Sequence, residues 1–110
     1  MNIAIDVKQM GHQDHVLVGG EIDAFTAPKL REVLFPLSEK KGVHIIVDLG
    51  NVSYMDSTGL GVFVGVYKNV RSNDGTLLLV GLSDRLKRLF TITGLADIMN
   101  IESRAEGGTL

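Results

Sequence analysis

Val43-His44-Ile45-Ile46-Val47 and Thr76-Leu77-Leu78-Leu79-Val80 are two short apolar runs, and between them Ser57 to Ser72 reads as a helix. Runs this apolar, with little polar alternation, are the pattern of strands buried on both faces. A strand, a helix and a second strand in succession define a parallel pair joined by a right-handed crossover. That unit makes the chain an α/β protein.

Working outward, Ile3, Ile5 and Val7 alternate with Ala4, Asp6 and Lys8, which predicts a half-buried strand over residues 3 to 9. Gly11-His12-Gln13-Asp14 is a polar break before a second strand, His15 to Gly20. A short break containing glycine predicts a hairpin. Thr26-Ala27-Pro28 is a helix start, with Thr26 as N-cap. Leu30, Val33, Leu34 and Leu37 follow at core-facing spacing, and Pro36 is expected to bend that helix or end it early. Residues 48 to 55 read as a loop. Asn73-Asp74-Gly75 marks a turn, Ser83 or Asp84 caps a third helix, and residues 98 to 102 add a last short strand. The expected fold is one mixed β-sheet, its first pair a hairpin and its later strands parallel, with helices covering it. One domain over residues 1–103 and a loose tail over 104–110 complete the expected organisation.

Composition narrows the function. Eleven Lys+Arg against thirteen Asp+Glu give a net charge of −2, unlike the basic footprint of a nucleic-acid-binding domain. There is no cysteine, hence no disulfide, thiolate metal site or cysteine nucleophile. The start lacks the basic and apolar regions of a secretory signal. No apolar run approaches the ~18 residues of a membrane span. These features predict a cytoplasmic protein that works without nucleic acid, membrane, cofactor or small-molecule substrate.

Chemistry concentrates at Met55-Asp56-Ser57-Thr58-Gly59-Leu60-Gly61-Val62-Phe63-Val64-Gly65. Three glycines and several valines make poor local helix. Gly61, Gly65, Lys68 and Ser72 share one helical face, opposite Phe63, Val66, Tyr67 and Val70. The glycines serve either packing within the domain or close approach by another protein. Asp56, Ser57 and Thr58 are each able to cap the helix. A serine hydroxyl at that position is also a fair phosphoacceptor, because the helix N-terminus tolerates a phosphate. The glycines fit a dinucleotide loop poorly, since about eight residues separate them from the strand where that fingerprint has a tight turn. His12-Gln13-Asp14-His15 reads as a solvated turn, there being too few ligands for a closed metal site. Asp48 ends a strand like a receiver phospho-acceptor, but Asp6 within a strand does not supply that fold's acidic pair after its first strand, and the connection between the first two strands is too short for a helix. Lys68, Arg71, Arg85, Lys87 and Arg88 read as solvated helix faces.

The chain resembles the anti-sigma factor antagonists built on the STAS domain. Gly20-Glu21-Ile22-Asp23 matches an early motif of that family, Tyr54 to Val62 its signature, and Arg88-Leu89-Phe90 with Thr93-Gly94-Leu95 its late helix and turn. The likeness spans residues 3 to about 103 and is strongest to the branch serving the general stress sigma factor of Bacillus-like bacteria. The sporulation branch is the near alternative. The resemblance implies that an anti-sigma factor, itself a serine kinase, phosphorylates Ser57, and that a PP2C-type phosphatase reverses this. The unmodified antagonist would bind the anti-sigma factor and free the sigma factor, acting as a binding module and not an enzyme. Partner contact is then expected from Asp23, Asp56, Ser57, Thr58, Gly59, Gly61, Gly65 and Lys68. A small nucleotide-binding or phosphotransfer domain, and a STAS scaffold of a transporter or stress complex, are the other classes this sequence admits.

Overall fold

The structure, a computed structural model, describes residues 2–103; the expected tail lies outside them. Strands β1 (Ile3–Met10), β2 (Gln13–Ile22), β3 (His44–Met55), β4 (Thr76–Leu82) and β5 (Asn100–Ser103) form one sheet in the spatial order β1-β2-β3-β4-β5. The first pair is antiparallel and each later pair parallel. Helices α1 (Ala27–Ser38), α2 (Ser57–Ser72) and α3 (Asp84–Ile92) make the crossovers, and a 3-10 turn at Leu95–Asp97 precedes β5.

Each crossover advances one strand in the same direction, so right-handed connections place all three helices on one face. The burial pattern agrees. Val16, Val18, Val47, Leu49 and Leu79 are buried in one cluster with Leu30, Leu34, Phe63, Val66 and Phe90 of the helices. Their sheet neighbours Ile46, Leu78 and Val80 are only half-buried, and Leu17 is exposed. This corrects the expectation of strands covered on both faces: the apolar runs hide an alternation in burial, because aliphatic residues also occupy the open side.

The expected loop at 48–55 is instead the second half of β3. Its buried positions run 45, 47 and 49, then 52 and 55, so period two fails after Leu49. The β2–β3 register shifts between Leu17 and Gly19 and again between Gly20 and Glu21. Bulges of this kind add residues to one strand and reset which face a side chain takes.

The hairpin turn is also tighter than the sequence suggests, with only Gly11 and His12 between the paired Met10 and Gln13. Gly11 takes φ +65°, which a two-residue turn joining twisted strands requires. Asp14 is therefore a strand residue, not part of a solvated turn: it is buried and ion-paired with Lys40 at 2.7 Å.

Helix α1 runs two residues past Pro36 and stops at Ser38, in accord with the early end expected. Ser83 caps α3 by accepting the Leu86 amide.

Candidate functional site

The parallel strands β2 and β3 end side by side, with Ile22 opposite Met55. The Asp56 amide donates to the Ile22 carbonyl at 3.2 Å, tying the two strand ends together. Two short segments leave from here: 23–26 into α1, and Asp56 into α2. The carboxyl ends of parallel strands are where open α/β sheets place their binding sites.

Asp56 is the N-cap of α2. One of its oxygens, Oδ1, accepts the Thr58 amide at 2.9 Å and also the Thr58 hydroxyl. The Thr58 hydroxyl bond, with lesser help from backbone amides of the first turn, holds the Asp56 carboxyl below its usual range, against burial, which pushes it the other way. Asp56 is thus anionic at neutral pH, at the positive end of the helix. The three candidate caps therefore divide the work. Asp56 caps, Thr58 is bound by it, and Ser57, the first residue of α2, is exposed with its hydroxyl free of any partner among the described residues.

Asp23 lies at the same rim but is buried, 6% exposed. Its Oδ1 accepts the amides of Phe25 and Thr26 at 2.9 and 3.1 Å. Thr26, expected to cap α1, makes no capping bond; its hydroxyl donates to the Glu21 carbonyl at 2.7 Å and accepts the Asp23 amide. Asp23 thus shapes the segment without presenting its carboxylate. The segment presents Phe25 instead, 86% exposed. Sequence reasoning missed Phe25 because a lone aromatic between Asp23 and Thr26 carries no periodicity; its break from the polar loop pattern is the one available signal.

The glycines of α2 separate into two kinds, which corrects the shared open face. A Cβ on Gly59 would lie 2.6 Å from Ile22 Cγ2 and 2.7 Å from Met55 Cγ, so the first turn rests directly on the strand ends. At Gly65 a Cβ would lie 2.6 Å from Phe35 Cζ, since the α1 ring covers that position. Both glycines are accounted for by packing inside the domain. A Cβ on Gly61 would meet nothing within 4 Å among the described residues, and Gly61 is exposed, as is Lys68. The exposed surface running from Ser57 is therefore Ser57, Thr58, Gly61 and Lys68.

On the other side of Asp56, Tyr54 and Met55 of β3 and Leu89 and Ile92 of α3 line an apolar groove of about 260 Å³, with Arg85 and Arg88 on its wall. Tyr54 and Ile92 are large and exposed, at 45% and 73%. Among the described residues no three His, Asp or Glu side chains gather to hold a metal, and no helix is long and apolar enough to cross a membrane.

A free hydroxyl at a helix start, on a five-stranded mixed sheet with helices on one face, defines a class. Residues 6–107 match the STAS domain, and the chain belongs to the STAS domain family. It is 55% identical over 108 residues to the anti-sigma-B factor antagonist of Bacillus subtilis (strain 168), covering 98% of each chain. To the anti-sigma-B factor antagonist of Listeria monocytogenes it is 54% identical over 105 residues, 94% of this chain and 91% of that one. In three dimensions it matches an anti-sigma factor antagonist from Mycobacterium paratuberculosis with a TM-score of 0.82 at 25% identity, over 92% of this chain and 86% of that one.

Proposed function

We propose that the chain is an anti-sigma factor antagonist controlled by phosphorylation of Ser57. Unmodified, it binds an anti-sigma factor through the face around the start of α2, and the anti-sigma factor releases its sigma factor. The partner, a serine kinase, transfers phosphate to the Ser57 hydroxyl, and a PP2C-type phosphatase removes it. The chain itself is a cytoplasmic substrate and binding module, not a catalyst. Kinship with the anti-sigma-B factor antagonists supports the pathway.

One observation carries the choice of site: of the two adjacent hydroxyls, Thr58 is hydrogen-bonded to Asp56, and Ser57 is exposed and without a partner among the described residues. The recognition face then comprises Ser57, Thr58, Gly61 and Lys68 on α2, with Phe25 beside them. Asp23, Asp56, Gly59 and Gly65 support it from below by fixing the loop, the cap and the helix packing. Incubation with ATP and the candidate kinase, followed by intact-mass measurement and peptide mapping, tests the reading. One added phosphate on Ser57 supports it, and an unmodified chain after complete turnover of a control antagonist sinks it.

A further inference from the structure

β1 is an edge strand among the described residues and a long one: eight residues, Ile3 to Met10, paired with β2 in unbroken register and containing no proline. Edges of this kind offer a row of unsatisfied backbone groups to another strand. Two observations fix which groups face outward. The Asn2 carbonyl accepts the Glu21 amide at 2.9 Å, and Met10 pairs with Gln13 across the two-residue turn. Both put the polar groups of the even-numbered residues toward β2, and in an antiparallel ladder the alternate residues then point away. Ile5, Val7 and Gln9 thus direct their N–H and C=O groups outward.

We propose that this edge pairs with the same edge of a second copy of the chain, antiparallel and with Val7 opposite Val7. The two-fold axis then passes through a hydrogen-bonded pair, flanked by Ile5 opposite Gln9. In that register Asp6 of each copy stands opposite Lys8 of the other. These are non-hydrogen-bonded pairs, where facing side chains approach most closely. Asp6 and Lys8 are both exposed on the open face of the sheet. Met10, 53% exposed, falls opposite Ala4 on that face.

Charge selects this register over its neighbours. Moving the axis by one residue either way sets Asp6 against Asp6 or Lys8 against Lys8, and like charges directly opposite are destabilising. A single strand supplies both halves of both ion pairs, the self-complementarity that a two-fold interface needs. The result is a continuous ten-stranded sheet. β2 and β3 separate β1 from the start of α2, so the Ser57 face remains open, and the proposal is independent of the reading of that serine.

Sedimentation equilibrium up to about 1 mM, where even a weak interface populates, tests it with charge exchange. The wild-type chain should dimerise with rising concentration. Asp6→Lys alone sets lysine against lysine and Lys8→Asp alone sets aspartate against aspartate, so each should weaken dimerisation by about tenfold or more. An equimolar mixture of the two variants should recover a heterodimer of wild-type strength, and the Asp6→Lys/Lys8→Asp double variant should self-associate like the wild type. A chain that stays monomeric throughout overturns the proposal. So does a dimer indifferent to both substitutions, or a mixture no tighter than its components.

Discussion

Asp56 holds Thr58 twice, accepting both its amide and its hydroxyl on the one oxygen Oδ1. The serine between them is left as the first residue of α2, its hydroxyl without a partner among the described residues. On the proposed function, Ser57→Ala should therefore abolish phosphate uptake from the proposed partner kinase, whereas Thr58→Val should keep most of it. Intact mass of the two variants after kinase treatment decides it. A full equivalent of phosphate on Ser57→Ala, or none on Thr58→Val with the fold intact, contradicts the assignment.

The same cap makes stability depend on pH in one direction. Because the Thr58 hydroxyl draws the Asp56 carboxyl below its usual value of 3.8, the folded state binds this proton less tightly than the unfolded chain. The stabilisation is complete above the unfolded value and fades as pH falls through the folded one. Asp56→Ala should cost about 1 kcal/mol at neutral pH, as cap removal generally does. The gap between wild type and Asp56→Ala should be flat from pH 7 to 5 and narrow below pH ~4. Thermal melts across that range measure it; a gap that widens on acidification reverses the sign.

Much of this was legible in the sequence, and the misses share a cause. The helix from Ser57 to Ser72 and the hairpin of β1 and β2 were readable because periodicity and glycine turns are local signals. The second half of β3 was not, because bulges against β2 break the alternation after Leu49. The STAS resemblance marks residues 56–61, yet the roles within that stretch depend on contacts from elsewhere in the fold. Nothing local shows that Ile22 and Met55 press on Gly59, or that the ring of Phe35 covers Gly65.

That contrast between glycines gives a paired test. Gly61→Leu fills open space on an exposed helix and replaces a poor helix former, so stability should rise by about 0.5–1 kcal/mol while partner binding falls. Gly65→Leu must displace Phe35, itself stacked beneath the Arg31 guanidinium at 5.7 Å, and should cost about 1–3 kcal/mol of stability. Melts and binding titrations on both variants separate the two roles. Equal destabilisation by the two would place Gly61 in the internal packing as well.

Phe25 and Ile92 are the large apolar side chains most exposed near the site, at 86% and 73%. Truncating either to alanine should leave stability within about 0.5 kcal/mol, since neither is packed in the core. If both lie under the partner, each truncation should weaken binding at least about tenfold, the mark of an aromatic or aliphatic anchor. Titration calorimetry with the anti-sigma factor checks this. Unchanged affinity for both variants confines the interface to the exposed face of α2.

The switch itself should work by charge and crowding at the interface, with the fold of the antagonist unchanged. A phosphoserine adds about −1.5 to −2 charges, to a chain whose net charge is −2. At the first residue of α2 the helix dipole favours an anion by about 0.3–1 kcal/mol, which offsets part of the repulsion from the ionised Asp56. Nothing in the core has to move, because Ser57 is exposed while its buried neighbours Gly59 and Leu60 face inward. In the complex the phosphate must instead shed water beside Asp56 against a close-packed surface. Like-charge contact there costs several kcal/mol, and each 1.4 kcal/mol is a tenfold loss. A drop in affinity of about a hundredfold or more is therefore expected on phosphorylation. Ser57→Asp should reproduce part of it, carrying about half the charge, and Ser57→Ala should bind like the unmodified protein. Amide NMR spectra of the two phospho-states should differ only around residues 22–26 and 55–62. Shifts spreading through β4, α3 and β5 would replace this local account with a conformational one.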